Sequence, residues 1–186
     1  YFFLLVSAME ARAASIIPRC FLAAKWMEEQ RVSELESLLI AVCKCLVKFC
    51  EIFALSKKLI DRDFFFLIHR PFLQGFQTES GLKSVAFELE DGSTKKLQLK
   101  GGSAAQSSVI QLFDILLGVE QVKLVDNFQR EMWAYMPGQH RRFLQDMQKI
   151  FAKKSLNQYV QERKSERLLE AYNLAINGLD RFRQTH

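Results

Sequence analysis

Leu168, Tyr172, Ala175, Leu179, Phe182 and His186 follow one another at spacings of four, three, four, three and four residues. That is the repeat of one face of an α-helix, so His186 takes the next place on an apolar stripe that points at a core. Two readings of such a histidine stay open. It is either a hydrogen-bonded core residue or an imidazole presented to a haem iron inside an apolar cavity. Arg183, three residues earlier, lies on a neighbouring part of the same helix and could reach a carboxylate at the edge of whatever His186 faces. Asp114 and His140 qualify as acid–base candidates only in the sense that they titrate.

The four cysteines, at 20, 43, 45 and 50, have spacings that suit neither a zinc knuckle nor a disulfide framework; they read as reduced thiols buried in a cytoplasmic protein. Lys and Arg number 26 against 21 acids. Residues 1–120 carry 14 of each sign, and residues 121–186 carry 12 basic and 7 acidic, so the whole excess lies in the last third. No recognised nucleic-acid motif or basic–aromatic cluster accompanies it, and a solvated helical surface is the reading. The opening Tyr1-Phe-Phe-Leu-Leu-Val6 lacks an initiating Met and a basic flank and is soon followed by Glu10 and Arg12, so it reads as a helix cut open, not a leader. No apolar run approaches the roughly 18 residues that span a bilayer, and no membrane contact is expected. With 186 residues, 49% of them hydrophobic, the chain can bury the core of one domain.

The elements that must position these residues are mostly helices. Residues 2–15 and 19–30 form two, separated near Pro18. Ser33 with Glu36 makes a capping-box pattern. Behind it Leu35, Leu38, Leu39, Val42, Leu46, Phe49 and Phe53 line one helical stripe. Asp63 is placed to cap a helix from Phe64 to Leu73 that stops at Gly75, with a kink or early end at Arg70-Pro71. The strand signal is confined to Val85–Leu99, where alternating apolar residues flank Asp91-Gly92 as a small hairpin. The helix opening at Val109 is apolar on most sides and should be central. Helices near 126–136, 139–152 and 165–186 complete a mainly all-α reading, with a break at Pro137-Gly138.

Gly101-Gly-Ser-Ala-Ala-Gln-Ser-Ser-Val-Ile-Gln-Leu-Phe-Asp-Ile-Leu-Leu-Gly118 resembles the long signature of the indoleamine 2,3-dioxygenase family. Eighteen residues with Gln106, the serine pair, Phe113-Asp114 and Leu-Leu-Gly in register are hard to match by chance. Family-like pieces recur in order: Phe2-Phe3, Phe65-Phe66 followed by Arg70, Tyr135-Met-Pro137, Glu170-Ala-Tyr172, and Arg183-Gln-Thr-His186.

The resemblance implies a helical haem-binding domain with one small β-hairpin near 84–99, cut at both ends relative to the family: the small N-terminal domain and the segment after His186 are missing. It implies haem b held by His186 as proximal ligand and by Arg183 on a propionate. Phe2, Phe65 and Phe66 would line an indole pocket, Arg70 would bind the substrate carboxylate, and Gly102, Ser103 and Ala104 would form the loop over haem and substrate. The implied activity is insertion of dioxygen across the indole 2,3 bond of L-tryptophan to give N-formylkynurenine, with no distal acid or base required. The alternative is an oxygen-storage myoglobin of the same family. Two departures stand out. Val6, with Ser7 beside it, occupies the place of the family's distal serine, and the stretch from Ser15 to Pro18 is a few residues short. The sequence gives no indication of oligomeric state.

Overall fold

The computed structural model describes residues 1–78, 81–82, 84–103, 106–119 and 123–185. Its helices are α1 (Phe2–Ala13), α2 (Ile17–Glu28), α3 (Val32–Ala54), the one-turn α4 (Ser56–Leu59) and α5 (Arg62–Phe64), α6 (Arg70–Leu73), α7 (Ser108–Leu117), α8 (Lys123–Met132), α9 (Gly138–Lys153), α10 (Leu156–Arg163) and α11 (Glu166–Thr185). A π-helix, Phe65–His69, joins α5 to α6, and a 3-10 turn, Trp133–Tyr135, closes α8. The expected hairpin is present as β3 (Val85–Glu88) and β4 (Thr94–Leu97), antiparallel with Val85 opposite Leu97. A second, two-residue pair, β1 (Gln77–Thr78) with β2 (Gly81–Leu82), precedes it. The mainly α fold with a small hairpin follows the sequence expectation.

The core is built on α3. Leu35, Leu38, Leu39, Val42, Leu46 and Phe49 of its stripe are buried, and Phe53 at its far end is half-buried. Across from it α11 buries Leu168, Tyr172, Ala175, Leu179 and Phe182, the stripe that leads to His186; position 186 itself lies outside the described residues. The Phe49 ring sits 5.6 Å from that of Phe182 and 6.5 Å from that of Phe113 on α7, so one side chain ties three helices. As expected of a central helix, α7 buries Val109, Leu112, Phe113, Leu116 and Leu117. Tyr172 fastens α11 to the end of α7 by donating its hydroxyl to the Leu117 carbonyl, which a helix terminus leaves without an internal partner (2.6 Å).

Four local expectations need correction. Ser33 is inside the first turn of α3, which starts two residues earlier than the capping pattern implied: its hydroxyl bonds the Glu34 carboxylate, and the N-cap position belongs to Arg31. Asp61, not Asp63, caps the segment ahead of Phe65, accepting the Phe64 N–H at 2.7 Å. The expected kink at Arg70-Pro71 is taken up as the π-helix, because proline has no N–H to give the carbonyl four residues back and its ring crowds that carbonyl. Pro18, expected to separate two helices, lies in the first turn of α2, where a missing N–H costs nothing. Helix α10 was not anticipated. It opens on a capping box in which Ser155 accepts from the Gln158 N–H and Gln158 returns the bond to the Ser155 N–H.

Candidate functional site

The first wall of the site is aromatic. Phe2, on the opening turn of α1, and Phe65, in the π-helix, are 63 positions apart in the chain, yet their rings lie 5.3 Å apart. Phe66 stands edge-on to Phe65 at 5.3 Å, and Phe3 edge-on to Phe2 at 5.5 Å. The Arg70 guanidinium lies 5.8 Å from the centre of the Phe66 ring, a cation–π distance. The structure therefore brings together Phe2, Phe65, Phe66 and Arg70. Phe66, Leu67, Ile68 and Phe72 are exposed around them, Phe72 by 85%.

His69 completes the cluster without having been anticipated. Its ring lies 5.4 Å from those of Phe2 and Phe3 and 5.7 Å from that of Phe65. Its Nε2 is buried and has no hydrogen-bond partner, and a phenyl face is a weak acceptor at best. Nothing in the periodicity signalled it, because the π-helix shifts the register there.

The second wall is the signature loop. The Gly102 N–H donates to the Leu73 carbonyl at 2.8 Å, where α6 ends, and Gly75 bridges to Lys100. The Lys100 N–H donates to the Tyr135 hydroxyl at 3.1 Å. Within the loop the Gln106 N–H reaches the Ser103 carbonyl at 3.0 Å. Gly102 is thus set against the helix that carries Arg70, with Ser103 next to it in the loop. Ala104 lies outside the described residues. At the loop's end Ser107 donates to the Glu10 carboxylate of α1 at 2.8 Å, joining the start of α7 to the helix that carries Phe2.

At the other end of α7, Arg183 forms an ion pair with Asp114. Asp114 is 6% exposed on a helix of otherwise mostly apolar burial, and a carboxylate in such a place needs a cation. Arg183 keeps about a third of its side chain exposed. The sequence placed Asp114 among titrating groups only; its position on an apolar helix was the signal for its partner. On α1 Val6 is half-buried, one turn beyond Phe2, and Ser7 is exposed. The thiols are free, and burial pushes Cys20 up to about 12 and Cys45 up to about 11, so both stay protonated. Of two open grooves, one between α7, α8, α9 and α10 and one between α2, α9 and α10, the first is lined in part by Asp114, and neither holds Phe2, Phe65, Phe66, Arg70, Gly102, Ser103 or Arg183.

The family model for indoleamine 2,3-dioxygenase matches residues 1–186. This chain belongs to the indoleamine 2,3-dioxygenase family. It is 34% identical to indoleamine 2,3-dioxygenase nanC of Aspergillus nanangensis, over the whole of this chain and 47% of that protein. It is 33% identical to indoleamine 2,3-dioxygenase 1 of Rattus norvegicus, over the whole chain and 45% of that relative. A third relative, 6-hydroxytryptophan 2,3-dioxygenase fscD of Fusarium equiseti, is 34% identical over 81% of this chain and 38% of its own length. The chain spans about half the length of these relatives or less.

Separate described features of this family member are each of a kind that suits a flat, dianionic macrocycle. Arg183 is a partly exposed cation held in place by a buried carboxylate one turn before position 186. A Cβ on Gly102 would meet only the Leu73 Cδ2, at 3.9 Å, so the loop offers bare backbone to the space beside it. The phenyl wall supplies the apolar surface that such a ring requires. No helix among the described residues is long and apolar enough to cross a membrane.

Proposed function

We propose that the protein, loaded with haem b, inserts both atoms of dioxygen across the indole 2,3 bond of L-tryptophan, giving N-formylkynurenine. The observation that carries this reading is the junction of Arg70 with the Phe2, Phe65 and Phe66 rings. An amino-acid carboxylate meets a guanidinium there, and an indole meets an apolar wall. An oxygen carrier needs neither. The relative named for 6-hydroxytryptophan shares the indole amino-acid core, which is the part this wall would hold.

In this reading His186 would hold the haem iron and Arg183, paired with Asp114, would hold a propionate. Haem, when bound, supplies the activation of dioxygen. The chain's own residues bind and orient: Arg70 fixes the carboxylate, the phenyl rings exclude water from the indole, and Gly102, Ser103 and Ala104 cover the haem and substrate. The reading requires no distal acid or base, and Val6, at the place of the family's distal serine with Ser7 beside it, carries no titratable group. The free thiols suit a reducing compartment, and we place the protein in the cytoplasm.

The test is turnover. Haem-loaded protein, kept ferrous, is supplied with tryptophan and dioxygen, and the reading predicts one N-formylkynurenine formed per dioxygen consumed. Reversible oxygen binding without tryptophan-dependent product would assign the oxygen-storage role in its place.

A further inference from the structure

The α6 segment and the signature loop meet backbone to backbone. Gly75 adopts φ +63°, and a Cβ built on it would lie 2.9 Å from the Gly101 nitrogen. A Cβ on Gly101 would lie 2.0 Å from the Leu73 carbonyl oxygen and 2.3 Å from the Gln74 carbonyl carbon. No side chain fits at either position without driving the two backbones apart, because the obstacle is main chain and not the tip of a flexible side chain. The neighbouring Gly102 is different: a Cβ there meets only an ordinary contact at 3.9 Å. The crossing is tied on both sides, by the Gly75–Lys100 bridge and by the Gly102 N–H on the Leu73 carbonyl at 2.8 Å. Leu73 ends the short helix that Arg70 opens.

We infer that Gly101 is a positioning residue, whose missing side chain lets the signature loop lie on the end of the Arg70 helix so that the carboxylate-binding arm and the loop over the substrate are held as one unit. The inference rests on the reading of Arg70 as the carboxylate anchor. Gly75 serves the same crossing from the other strand. Locking the two segments fixes the distance between the group that holds the amino-acid end of the substrate and the loop that covers its ring, and small errors in such a distance weaken both contacts together. A purely structural glycine would lower stability without changing how much Arg70 matters.

A double-mutant cycle on the haem-loaded protein tests this, with binding read by calorimetry for tryptophan and for tryptamine, which lacks the carboxylate. Gly138→Ala, where a Cβ meets nothing within 4 Å, serves as the folding control. In the wild-type background Arg70→Leu should weaken tryptophan roughly 10- to 150-fold, the range for a charged hydrogen bond, and leave tryptamine nearly unchanged. In the Gly101→Ala background the same Arg70→Leu change should weaken tryptophan by less than about three-fold. If the Arg70→Leu effect keeps its full size in the Gly101→Ala background, the inference is overturned. If wild type binds tryptophan no better than tryptamine, the Arg70 reading itself fails, a different result from additivity in the cycle. Should Gly101→Ala not fold, amide exchange at Gly102 in the wild type decides. The inference expects tryptophan, but not tryptamine, to slow that exchange, and equal protection by the two overturns it.

Discussion

Asp114 and His69 are the two described residues whose polar chemistry is least at home in its surroundings, and each makes a prediction. Asp114 is buried and bound to Arg183, so Asp114→Ala leaves a guanidinium facing a vacated apolar site. Because Arg183 is a third exposed, the loss should fall below that of a fully buried pair, at about 2 kcal/mol. Urea unfolding checks it. Haem affinity should fall with it, since Arg183 loses the carboxylate that aims it, and an unchanged midpoint with unchanged haem binding would remove Asp114 from the site. His69 carries an unpartnered Nε2 among three phenyl rings. Removing an unsatisfied polar atom in favour of an apolar one of similar size relieves a desolvation penalty. His69→Leu should therefore raise the melting temperature by about 2–4 °C, the shift that roughly 1 kcal/mol makes in a chain of this size. A lowered melting temperature would mean that His69 has a role which the rings do not reveal.

At the scale of elements, what was legible followed the strength of the local pattern. The stripes of α3 and α11 and the apolar α7 came directly from spacing, because helices that bury one face must repeat it. The C-terminal stop at Gly75 was legible as well, its φ of +63° being open to few other residues. The π-helix was not, since it arises from a conflict between Pro71 and the carbonyl four residues earlier, and periodicity has no symbol for that. Helix α10 was overlooked although Ser155 and Gln158 announce it by the same pattern that Ser33 and Glu36 show without forming a cap. The difference lies in what precedes the serine: the N-cap of α3 is Arg31, two residues ahead, so Ser33 falls inside the first turn. Ser155→Ala should cost α10 about 1 kcal/mol. Faster amide exchange in Leu156–Arg163, with α11 unaffected, is the expected observation, and unaltered exchange would show that packing alone holds the helix.

Across the whole molecule, the site consists of pieces far apart in sequence: Phe2, the Phe65–Arg70 rod, the signature loop and Arg183. Spacing alone joined none of them, and it was the family resemblance that placed them in one pocket. The structure joins Phe2 to Phe65, Phe66 and Arg70, and joins the loop to α6. It links Arg183 to the far end of α7 instead of to the aromatic wall. Stability at alkaline pH is a property of the same assembled core. Cys20 is held up to about 12 and Cys45 up to about 11 by burial, against an ordinary value of 9.0. Above pH 9 the unfolded chain gives up these protons while the folded chain keeps them, so folding stability should fall as pH rises from 9 toward 11. The slope is about 1.4 kcal/mol per pH unit for each thiol. Cys20→Ala should remove one thiol's share of that slope, leaving Cys45 and Cys43, the latter's thiol also pushed up by burial, to carry the rest, and denaturant midpoints between pH 8 and pH 10.5 would show it. A slope indifferent to Cys20→Ala would contradict the buried-thiol account.

The central claim, that Arg70 and the phenyl wall hold an amino acid, is tested most directly by one pair of titrations. Tryptophan is added to haem-loaded wild-type and Arg70→Leu protein and followed by the haem spectrum, with oxygen affinity measured on the same samples. Loss of a charged hydrogen bond should weaken tryptophan roughly 10- to 150-fold while oxygen affinity moves far less. A wild-type protein that binds oxygen reversibly yet shows no tryptophan-dependent spectral shift would contradict the claim.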